Sequence, residues 1–201
     1  MIMKVKDLIL YQVATDRFYK VGDKLEFGKE YNGQGRRVVF GENLSSGRVY
    51  DDGYKYVNKK LKLFPQNSLV LKLSKQLEEY DFVMRELAFE SVRKAGFVNC
   101  PSRLKCMFLT DDKKACVNNL KTFCQRGFGK FFQAVAVKVT GNVFYSYSKD
   151  VKRLGCSISD YSEMAKNYWS QEQKMDLPVT EILFEGKAEV VEIIEEYTRQ
   201  N

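Results

Sequence analysis

Near its C-terminal end the chain carries the sequence VTEILFEGKAEVVEII, residues 179–194. Apolar, often β-branched residues alternate there with polar ones on both sides of Glu185–Gly186. This pattern predicts two short strands joined by a hairpin turn at the glycine. An antiparallel hairpin at the end of the chain argues against a fold built on a purely parallel sheet.

Side chains of a strand alternate between its two faces, so the first of these strands has two distinct sides. Ile182 and Phe184 are expected on one side, and Glu181 and Leu183 on the other. A carboxylate that shares a face with a leucine lies either at the solvated end of its strand or in a pocket that uses its charge. Glu181 is therefore a candidate functional residue, with a solvated strand-end glutamate as the alternative.

The remaining elements follow from the spacing of apolar residues and from caps and breakers. Residues 28–58 are rich in glycine and tyrosine and predict a long loop with at most one strand, at 37–40. Two helices are expected at 75–95, ended by Gly96, and at 112–125, capped by Asp111 or Asp112. The other predicted elements are strands at 8–13, 104–110 and 133–139, and a helix at 161–169 capped by Ser159 or Asp160.

Helices and strands interleave along the chain, but the strands are short and the ending is antiparallel. We therefore expect an α+β fold and a single domain over residues 1–201, and not a doubly wound parallel sheet. Neither a GxGxxG turn after a strand nor a GxxxxGK[ST] loop occurs, so dinucleotide-fold and P-loop proteins are not indicated.

Composition narrows the possible partners and cofactors. Lysine and arginine outnumber aspartate and glutamate by 33 to 26, giving a net charge of +7, which favours an anionic partner such as nucleic acid. The chain has no histidine and five cysteines. No CxxC pair occurs, so we expect no metal site. Reduced thiols and the lack of a long apolar run predict a cytoplasmic protein without a signal peptide or membrane span.

Three short motifs occur in a recognisable order: Tyr11-Gln12-Val13, Met107-Phe108-Leu109-Thr110-Asp111 and Thr180-Glu181-Ile182-Leu183. Together they resemble the three-part signature of the ADP-ribosyltransferase superfamily, in the branch related to diphtheria toxin and the poly-ADP-ribose polymerases. The last strand is also similar to the glutamate strand of DarT-like toxins, which modify DNA bases. The segments Arg85–Ala88 and Pro101–Leu104 resemble an uncharacterised bacterial and phage family of the same layout.

The resemblance implies an ADP-ribosyltransferase-like fold of two small antiparallel sheets with flanking helices, and NAD as the substrate. It implies that Glu181 is the catalytic carboxylate, with Arg85 as a second catalytic candidate that contacts phosphate or orients the acceptor. Gln12 stands where this branch has a histidine, and Phe108 replaces a tyrosine that stacks on nicotinamide. The NAD-binding residues implied are Tyr11, Gln12, Thr15, Arg17, Ser102, Arg103 and Phe108.

Simple chemistry agrees with these roles. Cleavage between ribose and nicotinamide develops positive charge on the sugar, which a nearby carboxylate stabilises. Arg17 and the Ser102–Arg103 pair supply donors for the pyrophosphate. A glutamine amide hydrogen-bonds a ribose hydroxyl without titrating, and a phenylalanine ring keeps its stacking face.

The expected activity is therefore mono-ADP-ribosylation, with nucleic acid favoured as the acceptor by phosphate attraction and base stacking. A toxin or phage-conflict role, with a neutralising antitoxin partner, follows from the resemblance alone. Two alternatives remain open: a catalytically inactive protein that binds a nucleotide or nucleic acid on the same fold, and transfer to a protein side chain.

Overall fold

A computed structural model describes residues 2–40, 66–126, 130–146, 151, 156–171 and 181–198. Its elements in chain order are β1 Ile2–Thr15, β2 Lys24–Phe27, α1 Gly33–Phe40, α2 Gln66–Gly96, β3 Met107–Leu109, α3 Lys113–Arg126, β4 Phe131–Ser146, α4 Ile158–Ser170 and β5 Glu181–Thr198. No helix within these ranges is long and apolar enough to cross a membrane.

The described strands form one antiparallel five-stranded sheet in the order β1-β4-β5-β2, and β3 also pairs with β5. The α+β class is confirmed, but the prediction of two small sheets is wrong. The physical reason is the length of β4 and β5, which pair along almost their whole extent, from Phe131↔Thr198 to Ser146↔Glu181. Because β1 pairs with β4, and β2 and β3 pair with β5, all described strands belong to a single sheet.

The predicted hairpin at Glu185–Gly186 is also wrong, because β5 runs through it without a turn. Gly186 pairs with Gly141 of β4, and the two backbones approach each other closely. A Cβ at Gly186 would lie 2.5 Å from the carbonyl oxygen of Thr140, and one at Gly141 would lie 2.2 Å from that of Glu185. Glycine can mark a turn or a close approach of two backbones, and here it marks the close approach of β4 and β5.

Gly186→Ala should therefore lower the free energy of unfolding by about 1–3 kcal/mol, since Gly186 has a φ of +140° as well as the crowded carbonyl. Urea denaturation followed by circular dichroism measures the effect. Gly96→Ala is the matched control, because a Cβ there meets nothing within 4 Å. Equal stability of the two variants would show that the close approach of β4 and β5 is unimportant.

The alternation of faces along the start of β5 is confirmed. Ile182 and Phe184 join the apolar core on one face of the sheet, together with Leu10 and Val137. Leu183 lies on the other face, in a second core that includes Phe89 of α2 and Tyr168 and Trp169 of α4. Glu181 lies on this second face, under the helices.

Local sequence signals predicted the end of α2 and the start of α3. α2 ends at Gly96 and α3 begins after Asp112, whose side chain accepts hydrogen bonds from the backbone N–H groups of Lys114 and Ala115. The cap of α4 is Ser157, not Ser159 or Asp160, although Asp160 completes a capping box with it.

Residues 37–40, predicted as a strand, belong to helix α1. Asn32 caps this helix, since its Oδ1 accepts from the N–H of Gly35 at 2.7 Å. The same side chain donates to the carbonyl oxygens of Arg103 and Cys106, at 2.9 and 2.7 Å. These tertiary hydrogen bonds fix α1 against the segment before β3. The rest of the predicted loop, residues 41–58, lies outside the described residues.

Candidate functional site

A cluster of buried charges surrounds the first residue of β5. Arg103 Nη1 donates to Glu181 Oε1, and the hydroxyl of Tyr168 donates to the same oxygen at 2.6 Å. Ser146, opposite Glu181 on β4, places its hydroxyl 3.0 Å from that of Tyr168 and 3.4 Å from Glu181 Oε1. Side chains from β4 and α4, together with Arg103, thus hold the carboxylate of Glu181.

Arg103 is the centre of this cluster. Its Nε donates to Glu86 Oε2 at 2.9 Å, and its Nη1 also donates to the hydroxyl of Tyr168 at 2.8 Å. Burial by itself would lower the pKa of the guanidinium, but the carboxylates of Glu181 and Glu86 outweigh it and raise the pKa well above its usual value. Arg103 therefore stays charged although it is buried.

The cluster has one member that reaches solvent. The side chain of Glu181 is 18% exposed, against 5% for Arg103 and 0% for Glu86. Burial and the charge of Glu181 raise the pKa of Tyr168 well above its usual value, so the phenol remains a hydrogen-bond donor. The arrangement presents a partly exposed carboxylate, whose orientation is fixed by a buried arginine and a neutral tyrosine.

Arg85 lies behind this cluster. Its Nη2 donates to Glu86 Oε1 at 3.1 Å and its Nη1 donates to the carbonyl oxygen of Val151 at 2.6 Å. The residue is 8% exposed. It reaches Glu181 only through Glu86 and Arg103, so its contacts are those of a support for the cluster.

A second polar cluster holds the segment that carries Arg103. The backbone N–H of Ser102 donates to Glu185 Oε1 at 2.8 Å, and its hydroxyl donates to Glu90 Oε2 at 2.9 Å. Arg93 donates two hydrogen bonds of 2.9 Å to the Glu90 carboxylate and also donates to the carbonyl oxygens of Val98 and Cys100. Both donors of Ser102 are therefore occupied by this scaffold.

This scaffold predicts an acid-sensitive part of the folding stability. Burial tends to raise the pKa of the Glu90 carboxyl, but hydrogen bonds from Arg93 and Ser102 bring it below the ordinary value of 4.5. A carboxyl whose pKa is lower in the folded state stabilises the protein above its unfolded pKa, and loses that contribution as pH falls through the folded pKa. Stability from Glu90 should therefore disappear below about pH 4.5.

Urea denaturation at pH values from 7 to 3 tests this contribution. The wild-type protein should lose more stability across the acid range than Glu90→Gln, which carries no titrating group at that position. Glu163→Gln, in a solvent-facing position of α4, serves as the control and should follow the wild type. Parallel pH profiles for wild type and Glu90→Gln would show that Glu90 contributes nothing to acid sensitivity.

A cavity of about 230 Å³ lies between β1, the first turn of α1 and β3. Its wall includes four residues predicted to bind NAD, namely Gln12, Thr15, Arg17 and Phe108. The other lining residues are Val13, Ala14, Tyr19, Phe27, Asn32, Gly33, Gln34, Cys106 and Met107. The wall thus combines aromatic surfaces with amide groups and one guanidinium.

Hydrogen bonds to distant strands fix the rim of this cavity. Gln133 of β4 is 1% exposed and bonds both the N–H and the carbonyl oxygen of Tyr19, at 2.8 and 3.1 Å. Asp16 accepts from the backbone N–H groups of Lys130 and Phe131. The segment that carries Arg17 is therefore held by β4 from both sides.

Phe108 connects the cavity with the charged cluster. Its ring lines the cavity, and the guanidinium carbon of Arg103 lies 5.2 Å from the ring centroid, at cation–π distance. Phe108 also pairs with Leu183, two residues beyond Glu181. A ring bound against Phe108 would therefore lie on the side of the cavity that is nearest to the cluster.

Tyr11 belongs to neither group. It exchanges backbone hydrogen bonds with Thr110, and its side chain packs with Cys116 and Leu120 of α3, on the face of β1 opposite to Gln12. Thr180 of the third motif lies outside the described residues. Of the nine predicted site residues, four share the cavity, three lie in or behind the charged cluster, and Ser102 supports Arg103.

The sequence did not single out Glu86, Tyr168, Ser146 or Gln34. Tyr168 carried one usable signal, since with Tyr161 and Ala165 it forms the buried face of α4 at helical spacing. An amphipathic pattern identifies a core tyrosine but does not show that its hydroxyl meets a carboxylate. The other three residues carry no local signal.

A larger cleft of about 630 Å³ lies on the other side of the sheet, over Lys24, Lys138, Lys187 and three carboxylates. Its charges are already paired, as in the 3.2 Å contact of Lys138 with Glu189. The cleft holds none of the predicted site residues. We place the functional site at the smaller cavity, because aromatic, amide and cationic groups converge there and its Phe108 also contacts Arg103 of the charged cluster.

Comparison with known protein families gives a match over most of the chain. A family described as "Protein of unknown function (DUF2441)" matches residues 10–196, a range that contains the cavity and the charged cluster. No curated protein matches the chain. Among the described residues, no group of three or more histidine, cysteine, aspartate or glutamate side chains could hold a metal ion.

Proposed function

This chain belongs to the family described as protein of unknown function (DUF2441), and we propose that it is a mono-ADP-ribosyltransferase that cleaves NAD. The observation that carries the proposal is the carboxylate of Glu181, held by Arg103 and Tyr168 at a partly exposed position. Phe108, which lines the cavity, lies at cation–π distance from Arg103, the partner of Glu181. The proposal includes an ADP-ribosyltransferase-like arrangement of the sheet.

In this proposal nicotinamide binds against Phe108, and the ribose lies between the cavity and Glu181. The bond between the ribose carbon and the nicotinamide nitrogen breaks, and its electron pair leaves with nicotinamide. The Glu181 carboxylate stabilises the positive charge that develops on the sugar. The acceptor then forms a bond to the same carbon and releases a proton to solvent.

The other residues act through binding or positioning. The amide N–H group of Gln12 and the hydroxyl of Thr15 bind ribose hydroxyls, and Arg17 binds a phosphate, because each residue lines the cavity with a polar group. Arg103 and Tyr168 keep Glu181 in one orientation. Arg85 and Ser102 are positioning residues, since their donors are engaged with Glu86, Val151, Glu185 and Glu90.

The favoured acceptor is nucleic acid. A net charge of +7 attracts phosphates, and the sequence analogy is to toxins that modify DNA bases. An effector role in conflict with phage, and a neutralising antitoxin as partner, belong to the same proposal. We place the protein in the cytoplasm, since all five cysteines are unpaired thiols.

Two observations favour a second function, a nucleotide- or nucleic-acid-binding protein without catalysis. The oxygen Glu181 Oε1 already receives hydrogen bonds from Arg103 and Tyr168, and Gln12 provides no titrating group. Both features suit binding without turnover. NAD binding with no release of nicotinamide would identify this function.

The deciding experiment measures nicotinamide release from NAD with no acceptor, with DNA, with RNA and with a protein mixture. Label transferred from NAD to a product that nuclease digests, and protease does not, supports the proposal. A protease-sensitive product assigns the acceptor to proteins. Absence of NAD cleavage under all four conditions rejects the enzymatic function.

A further inference from the structure

Two buried polar atoms in the cavity wall lack hydrogen-bond partners. They are Oε1 of Gln12, on β1, and Nε2 of Gln34, in the first turn of α1. Neither atom has a partner in the part of the chain that the structure describes. Both residues line the same 230 Å³ cavity, together with Phe108.

A buried polar group without a partner destabilises a fold, so such groups are rare and call for an explanation. Here one atom is an acceptor and the other is a donor. A ligand satisfies both if it presents an N–H donor next to an acceptor. Carboxamides have this pattern, and so does the edge of adenine formed by its amino group and a neighbouring ring nitrogen.

The size and shape of the cavity restrict the ligand further. Its volume of about 230 Å³ is below the range of about 300–1,000 Å³ that is usual for sites of drug-sized ligands. One heteroaromatic ring fits, and the remainder of a dinucleotide must lie outside. Phe27 and Phe108 supply aromatic surfaces for such a ring.

The wall that carries Gln34 is rigid. Asn32 caps α1 and also bonds the carbonyl oxygens of Arg103 and Cys106. Gly35 packs so closely that a Cβ there would lie 2.0 Å from the carbonyl oxygen of Leu104. Gln34 thus lies in a turn that is held against residues 103–106, and a residue that discriminates between ligands requires such support.

We propose that this cavity selects a planar ring with an amide-type edge, whose N–H group donates to Gln12 Oε1 and whose acceptor receives a hydrogen bond from Gln34 Nε2. The inference rests on the proposed function for its ligand, NAD, which offers this edge at both ends. Nicotinamide carries a carboxamide, and adenine carries its amino group beside a ring nitrogen. Gln34 becomes a specificity residue of the site.

Binding of three dinucleotides tests the proposal and identifies the end that is bound. Isothermal titration compares NAD with nicotinic acid adenine dinucleotide, which replaces the amide by a carboxylate, and with nicotinamide purine dinucleotide, which replaces the adenine amino group by hydrogen. The wild type should bind NAD at least about tenfold more tightly than one of the analogues, because a lost donor leaves Gln12 Oε1 unpaired. The analogue that binds poorly identifies the end that the cavity holds.

Variants connect this preference to the two side chains. Gln12→Leu should reduce the preference to less than about threefold, and Gln34→Leu should weaken the binding of all three dinucleotides alike, because each keeps the acceptor. Gln125→Leu, at an exposed position on α3, should leave both affinity and preference unchanged. Gln34→Glu retains the shape and removes the donor, so it replaces Gln34→Leu if that variant does not fold. Thermal melting establishes folding for every variant.

Four results would overturn the inference: equal binding of all three dinucleotides, a preference that Gln12→Leu leaves intact, an affinity that Gln34→Leu leaves intact, or no binding of any of them. The outcome of this binding test does not depend on whether the protein cleaves NAD. A preference that depends on Gln12, without any nicotinamide release, supports the inference and rejects the transferase. Glu181-dependent release with no effect of Gln12→Leu on analogue selectivity does the opposite.

Discussion

Glu181→Gln should lower the rate of nicotinamide release from NAD by about 10²–10³-fold, which is the usual effect of removing one group that stabilises charge in a transition state. The substitution keeps the shape of the side chain and removes its negative charge. The amide oxygen still accepts from Tyr168, and Arg103 keeps its ion pair with Glu86 at 2.9 Å. The fold should therefore survive.

The measurement is the initial rate of nicotinamide release at saturating NAD, together with the dissociation constant for NAD. A loss in rate with a dissociation constant within about threefold of the wild type identifies an effect on the chemical step. Glu192→Gln is the matched control, because this glutamate lies on the same strand in an exposed ion pair with Lys113 at 2.7 Å. A wild-type rate for Glu181→Gln would end the assignment of Glu181 as the catalytic residue.

Arg103→Met should lower the free energy of unfolding by about 3–5 kcal/mol, because it removes one partner of two buried ion pairs and leaves Glu86 with Arg85 as its remaining counterion. Glu86 is fully buried and Glu181 largely so, and both bond Arg103. Methionine fills part of the space without replacing any hydrogen bond. The hydroxyl of Tyr168 loses its 2.8 Å donor as well.

Urea denaturation at pH 7 measures this loss. Lys113→Met is the control, since it removes one partner of an ion pair whose side chains are 47% and 50% exposed, and such pairs contribute about 0–1 kcal/mol. Arg103→Lys should lie between the two, because one ammonium cannot reproduce the forked contacts to Glu86 and Tyr168. A loss below about 1 kcal/mol for Arg103→Met would show that the cluster is not a folding determinant.

The candidate site was predictable only in part. Gln12, Thr15, Arg17 and Phe108 were predicted to share a ligand, and the structure places them around one cavity. Arg103 was predicted to bind pyrophosphate, but its donors are directed at Glu86, Glu181 and Tyr168. A sequence identifies an arginine, whereas the partners of its five N–H groups depend on which elements pack around it.

Long-range partners explain the largest errors in the fold. Gly186 was interpreted as a turn residue because glycine is a common turn signal, and the opposing Gly141 lies 45 positions earlier in the sequence. Residues 37–40 were interpreted as a strand because of their apolar run. Their helix depends on Asn32, whose amide also bonds residues 103 and 106. In both cases a contact over a long sequence separation outweighed the local pattern.

The sequence by itself determined the alternation of residues 181–184 between two cores, the C-terminal end of α2, the start of α3 and the α+β class, because these depend on periodicity and on local capping. The start of α2 was predicted at residue 75 and lies at Gln66. Only the tertiary structure decided that residues 181–198 form one strand of a single sheet. It also decided that Glu181 meets Arg103 and Tyr168, and that Gln12 faces a cavity shared with Gln34. The reason is physical: these contacts join groups that are distant along the chain, and their energies exist only once the sheet has formed.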